Sequence, residues 1–475
     1  MGPSRSEKAS LPIAFSDNRS SYPYAKRRPT SISSPARLAA LLTAALAAIL
    51  LLHCYWGPGA GDSSGFKLAD VAEEVLPYND FLGRAKQILK RVPLIDGHND
   101  LPISLQMRNG GQINGLNLTD LGPQYHTDMK RLKEGRVGAQ FWSAYVPCTD
   151  YTKKSDDVRF TLEQIDLIHR MVDSYPETLE FARSSHDIAR IHKHGRVASL
   201  IGLEGGHQID NSLGTLRQYY DLGVRYMTLT HTCHTAWADS CTGEPLHGGL
   251  TDFGETVVGE MNRLGMLVDI SHVSHDTMRD VLRVSAAPLF FSHSSAYELC
   301  KIPRNVPDDI LRQLPKKDGV VMINFYPRFV SCSANSTLEL VADHISHVAE
   351  VAGPEHVGLG SDFDGIDVVP KGLEDVSKYP DLIAELLRRG FSEKEVEGIV
   401  GKNLLRILER TEQIAKKSRG EKPAELRASL SNIESRKRHH LSLLNGSRQK
   451  LLYFKTALAV KKALGGKRLE FVGWE

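Results

Sequence analysis

Along the middle of the chain, short unbroken apolar runs alternate with longer stretches whose apolar residues recur every three to four positions. The runs are VPLID (92–96), GAQFWSAYV (138–146), VASLIGLE (197–204), VRYMTLTH (224–231), MLVDISH (266–272), PLFFSH (288–293), VVMINF (320–325) and VGLGSD (357–362). Short apolar runs bounded by Gly, Pro or polar clusters are the pattern of strands buried on both faces. The stretches between them include DVRFTLEQIDLIHRMVDSY, LTDFGETVVGEMNRLG and STLELVADHISHVAEVAG. The last two open on Thr or Ser and end at Gly, the start and stop signals of a helix. Strand and helix alternate without a self-similar period, which predicts a parallel sheet. Eight such strands predict an α/β fold, a (β/α)8 TIM-type barrel.

Upstream the pattern is different. Leu38 to Trp56 reads LAALLTAALAAILLLHCYW, preceded by Lys26, Arg27, Arg28 and Arg37 and followed by Gly57-Pro58-Gly59. Its uncharged part, Leu38 to Leu52, is 15 residues long and apolar apart from Thr43. That lies between the core of a cleaved signal and a full membrane span, and Tyr55 and Trp56 extend it as interfacial anchors. The long leading segment and the lack of a small-x-small cleavage site favour an uncleaved signal anchor that spans the membrane. By the positive-inside rule the basic flank is cytoplasmic and the rest extracellular or lumenal, with a secreted protein as the alternative. The expected organisation is a basic segment (1–37), the anchor (38–56), a linker (57–80), the barrel (81–412) and a basic extension (413–475), poorly ordered or a surface-lying helix.

Composition is that of an ordinary globular protein, but its charge is unevenly placed. The chain has 475 residues with 59 Lys plus Arg against 57 Asp plus Glu. Residues 1–65 carry a net +4 and residues 416–475 a net +10, which leaves −12 on residues 66–415. An acidic body excludes nucleic acid as its main partner, since phosphate binding needs a basic face. It suits a site that collects cations. Six cysteines, Cys54, Cys148, Cys233, Cys241, Cys300 and Cys332, leave an odd number beyond the anchor, so at most two bridges form there. Sequons at Asn117, Asn335 and Asn445 fit glycosylation of a translocated body.

The chemistry stands at the ends of the predicted strands. The first ends in Asp96-Gly97-His98-Asn99-Asp100, the third in Glu204, the fourth in His231, the fifth in His272, the sixth in His293 and the eighth in Asp362. In a parallel barrel every strand ends on the same face, so these groups converge. His98 and Asp100 fall on the same side of an extended segment, a compact start for a Zn²⁺ site. A lone histidine at a strand end is usually structural, but four of them with three carboxylates similarly placed read as a two-metal centre that activates water. Asp96 is expected to orient His98 from outside the metal's own ligands. His207, His234 and His275 are expected to be loop or supporting residues, and Gly205 and Gly206 to relieve crowding after Glu204.

The motifs LIDGHNDLP (94–102), GLEGGH (202–207), LTHTCHTAWAD (229–239), DISHVS (269–274), FSHSSA (291–296), RNVPDD (304–309), NFY (324–326), SDFDG (361–365) and GLEDVSKYPDLIAELLRRG (372–390) resemble, in the same order, those of the renal or membrane dipeptidases of the amidohydrolase superfamily. The resemblance implies zinc-dependent hydrolysis of dipeptides with free amino and carboxyl ends, by a hydroxide bridging two zinc ions. It assigns His98 and Asp100 to one ion, His272 and His293 to the other, and Glu204 to both. His231 would lie over the scissile carbonyl, Arg304 would hold the substrate carboxylate and Asp362 would move the proton. Disulfides Cys148–Cys233 and Cys300–Cys332 are implied too, with Cys241 either free or a competitor for Cys233. The family's dimeric habit is an expectation that no residue here supports. Two alternatives stand beside this reading: a dipeptidase specialised for cysteinylglycine conjugates of glutathione, and a non-catalytic surface protein that keeps the barrel for binding. A cyclic-amide hydrolase built on a carbamylated Lys is disfavoured, because Glu204 stands at the bridging position.

Overall fold

Each of the eight apolar runs forms a strand, and together the eight close a ring. A computed structural model describes residues 76–148 and 156–425. The barrel strands are β1 (Leu94–Asn99), β2 (Val137–Tyr145), β4 (Val197–Glu204), β5 (Val224–Thr228), β6 (Leu267–Asp269), β7 (Leu289–Ser294), β8 (Val320–Ile323) and β9 (Val357–Leu359). All neighbours are parallel, β2 pairs with β4, and β9 returns to β1 through Asp96 opposite Leu359. One further strand, β3 (Leu179–Phe181), pairs with β4 outside the ring and has no counterpart among the predicted runs.

Two apolar layers hold this ring. Ile95, Ala139, Phe141, Leu200, Tyr226, Leu267, Phe290, Val320 and Met322 belong to one buried cluster that fills the barrel interior, joined by Leu404, Ile407 and Leu408 of the helix Asn403–Lys417. Alternate strand residues such as Ile201, Leu203, Met227 and Val321 belong to the larger cluster between strands and helices. The period-two alternation of side chains makes this sorting possible.

The predicted helix signals act as expected. Thr251 accepts a hydrogen bond from the Gly254 N–H at the start of the helix Asp252–Leu264, and Gly265 closes it in the left-handed conformation. The helix Leu338–Ala352 runs from Thr337 to Gly353 as those signals predict, although the Thr337 side chain makes no capping hydrogen bond. The stretch from residue 157 is the helix Asp157–Ser174. The last α-helix among the described residues, Asn403–Lys417, runs past residue 412, and Ala424 beyond it donates its N–H to Glu260 at 3.2 Å.

Among the described residues no helix is long and apolar enough to cross a membrane. The expected anchor Leu38–Trp56, Cys54, the sequon at Asn445 and the basic run Arg436-Lys437-Arg438-His439-His440 lie outside the described residues. Asn117 and Asn335 are exposed. Both implied disulfides are present, Cys148–Cys233 and Cys300–Cys332, and Cys241 is a free thiol.

Candidate active site

The strand ends bring His98, Asp100, Glu204, His231, His272, His293 and Asp362 into one cluster, as their sequence positions predict. Its centre is a single atom, Glu204 Oε1, at the last position of β4. Four imidazole Nε2 atoms surround it: His272 at 3.2 Å, His293 at 3.3 Å, His98 at 3.5 Å and His231 at 3.7 Å. The Nε2 atoms of His272 and His293 lie 2.9 Å apart, and His98 Nε2 is 3.1 Å from Asp100 Oδ2. Asp362 completes a group with His98 and Asp100 whose ligand atoms lie within 4.8 Å of one another. The other Glu204 oxygen accepts from the Ser143 hydroxyl at 3.3 Å.

The backbone is bent to present these groups. His272 and Asp362 follow β6 and β9 with φ of 63° and 69°, a region that costs non-glycine residues about 1–3 kcal/mol and persists where surrounding structure enforces it. Gly205 takes φ 122° directly after Glu204, where a Cβ would sit 2.4 Å from the His207 ring. The expected relief of crowding is therefore real.

Electrostatics follow from burial and proximity. Burial pushes the Glu204 carboxyl up, but the surrounding imidazoles, His98 foremost, hold it well below the usual carboxylate range. Burial lowers His272 and His293 well below the ordinary imidazole value, and the Arg304 guanidinium adds to this. His98 stands well above that value: burial opposes it, but Tyr226, Glu204 and Asp100 outweigh burial. Burial, reinforced by Asp100 and Glu204, pushes Asp362 up to about 8 against the opposing effect of His98. Asn324 donates to Asp362 Oδ2 at 2.8 Å.

These residues fit a metal centre on their own chemistry. Four imidazoles and three carboxylates converge there, and Asp100 Oδ1 is buried with no protein partner. Mixed imidazole and carboxylate donors are the set that Zn²⁺ takes in catalytic sites. His231 is the most open of the four imidazoles, with 15% of its side chain exposed against 9% for His272, 1% for His293 and 0% for His98. It packs against the Tyr145 ring at 4.7 Å, at the end of β2.

Arg304 is buried and donates to Ser294 Oγ and to the His293 carbonyl, both at 2.7 Å, while its Nε has no protein partner. It therefore braces β7 and keeps an unused donor. Asp96 does not act as expected. Its carboxylate accepts from the backbone N–H of His98 at 3.2 Å, from the N–H and hydroxyl of Ser361 at 2.9 and 2.7 Å, and from the Tyr379 hydroxyl at 2.7 Å. It ties β1 to β9 rather than orienting the His98 ring. The ring's partner is Tyr226, which sequence reasoning missed. For His293 the partner is Ser292, whose hydroxyl bonds Nδ1 at 2.7 Å and donates to Asp269 at 2.6 Å. His207, His234 and His275 bond backbone groups of Val146, Ser240 and Asn305, in keeping with supporting roles.

A closed parallel barrel with clustered imidazoles and carboxylates at its strand ends is the arrangement of a metal-dependent hydrolase. Residues 82–422 match the family model of membrane dipeptidase, peptidase family M19, and the chain belongs to that family. It is 50% identical over 341 residues to dipeptidase aclJ of Aspergillus oryzae, across 70% of this chain and 81% of that one. A metallopeptidase of Rhodobacter sphaeroides, solved with a phosphinate mimic of the dipeptide L-Ala-D-Ala, superposes with a TM-score of 0.62 at 27% identity. That match covers 67% of this chain and 99% of the other. The probable dipeptidase PvdM of Pseudomonas aeruginosa shares the fold, with a TM-score of 0.64 at 20% identity over 70% of this chain and 99% of its own.

Proposed function

We propose that this metallopeptidase hydrolyses dipeptides with free amino and carboxyl ends, and that His98 and Asp100 would hold one zinc ion, His272 and His293 a second, and Glu204 would serve both. The observation that carries the proposal is the position of Glu204 Oε1 within 3.7 Å of four imidazole nitrogens. Zinc bound there would act as a Lewis acid and lower the pKa of a water from ~15.7 toward ~7.

The chain's own groups supply the rest. Asp362, with one oxygen fixed by Asn324, takes the proton that the attacking water loses and returns it to the leaving amine. His231, the most open imidazole, stabilises the oxyanion that forms on the scissile carbonyl, an effect typically worth about 3–4 kcal/mol. The free Nε of Arg304 receives the substrate carboxylate, which limits substrates to those with an acid next to the cleaved bond. The two disulfides support an oxidising compartment for the barrel, consistent with a membrane anchor at Leu38–Trp56 and a translocated body.

The test is to quantify zinc in the purified protein and follow hydrolysis of Gly-D-Ala, Cys-Gly and a Cys-Gly conjugate with and without chelator. About two zinc ions per chain and cleavage abolished by chelation are expected. A folded protein that holds two zinc ions and cleaves none of the panel would overturn the substrate reading. A preference for the conjugate alone would narrow it.

A further inference from the structure

The Tyr226 side chain lies wholly inside the barrel, its ring 5.1 Å from Phe141 and 5.3 Å from Phe290. Its hydroxyl is 2.9 Å from His98 Nδ1 and 3.1 Å from the carbonyl oxygen of Gly97. A carbonyl only accepts and a phenol has one proton to give. The hydroxyl therefore donates to Gly97 and accepts from His98 Nδ1–H. With Nδ1 carrying a proton, the Nε2 lone pair is the one that faces Asp100 and Glu204.

To reach β1, the phenol leaves β5 and passes across β4. The residue it crosses there is Gly202, paired in register with Tyr226. A Cβ at Gly202 would lie 2.0 Å from Tyr226 Cζ and 2.3 Å from its hydroxyl oxygen. No side chain fits that space, so the glycine and the tyrosine form one device. The His293 ring is held differently, through Ser292 and Asp269.

We infer that Tyr226, admitted by Gly202, is a positioning residue that fixes the tautomer and orientation of His98, and so sets the affinity of one of the two metal positions. This rests on the two-zinc reading above. Partners that orient a metal-bound imidazole typically account for about 10- to 100-fold in metal affinity.

The experiment is competition with chelators of graded strength, read as two separate zinc affinities in the parent, Tyr226→Phe and Gly202→Ala, alongside thermal unfolding of each metal-free protein. Tyr226→Phe keeps the ring and its packing. It is expected to bind one zinc about 10- to 100-fold more weakly, to keep the other within a few fold, and to unfold close to the parent. Gly202→Ala is expected to show the same selective loss. The double variant should lose less than the product of the two, because both changes remove one bond. Unchanged zinc binding in Tyr226→Phe, or equal weakening at both positions, would overturn the role of Tyr226 alone. A parent that binds no zinc would overturn the two-zinc reading and this role with it.

Discussion

His272 and His293 face each other nitrogen to nitrogen, Nε2 to Nε2, at 2.9 Å. Both also face the same Glu204 oxygen, at 3.2 and 3.3 Å. On the proposed two-zinc reading these two imidazoles would share one ion, and neither would be a spare ligand for the other. His272→Ala and His293→Ala should each lower bound zinc to about one per chain and reduce kcat by about a thousandfold, the several kcal/mol that a metal contributes to such a reaction. Zinc content and turnover measured on the same preparation check this. Normal activity in either variant would sink the assignment of that histidine.

Arg304→Lys keeps the charge but loses the fork that braces His293 and the free Nε. For a dipeptide, kcat/KM should fall about 10- to 100-fold, as expected for the loss of ~1.5–3 kcal/mol of charged hydrogen bonding. For the corresponding dipeptide amide, which lacks the carboxylate, the fall should be much smaller. Comparable losses on both substrates would mean that Arg304 acts only by bracing β7.

Acid sensitivity should arise at His344, away from the metal cluster. Its Nδ1 accepts from the Ala296 N–H at 2.9 Å and its Nε2–H donates to the Val330 carbonyl at 2.8 Å. Burial lowers this imidazole to about 4 from the ordinary value of 6.5. The neutral form is the one the fold accommodates, so its contribution is complete above pH 6.5. It is lost as the pH falls from there through about 4. A shift of that size corresponds to about 3 kcal/mol. Urea unfolding of the parent and of His344→Gln between pH 7 and 4 tests this: the parent's advantage should shrink with acid, and an advantage independent of pH would refute it.

The two disulfides close loops of different length, with sequence separations of 85 for Cys148–Cys233 and 32 for Cys300–Cys332. Chain entropy alone assigns them about 5 and about 4 kcal/mol. The paired Cys→Ser variants should both unfold at lower urea concentration, the first at the lower of the two. Cys148–Cys233 also ties the end of β2 to the loop that follows His231, so its loss should raise KM as well. An unchanged KM would confine that bridge to stability.

Much of this architecture was legible because burial on both faces writes strands as apolar runs, and barrel geometry then sends every strand end to one face. The convergence of His98, Asp100, Glu204, His231, His272, His293 and Asp362 followed from those two facts. β3 was not legible: Leu179–Phe181 is three residues with Glu180 at its centre, and it leaves no apolar run. The run 224–231 predicts one strand, but the ladder stops at Thr228, and the chain turns there to bring His231 to the site. Tyr226 escaped notice because it stands 128 positions from His98 and their meeting depends on β5 crossing to β1. One clue was available. A tyrosine at an inward strand position must find a partner for its hydroxyl.

Ring closure also sets a time order for making this protein. His98 and Asp100 lie on and just after β1, Glu204 ends β4, and Asp362 follows β9, which seals the ring through Asp96 opposite Leu359. A chain still emerging from the ribosome has synthesised all five proposed metal ligands before it has the strand that locks the first of them in place. If the cluster holds zinc as proposed, its capture would be a late event in biogenesis, and metal content would report whether a molecule has finished folding. A cell that retains zinc-free copies and releases loaded ones would be selecting for completed barrels.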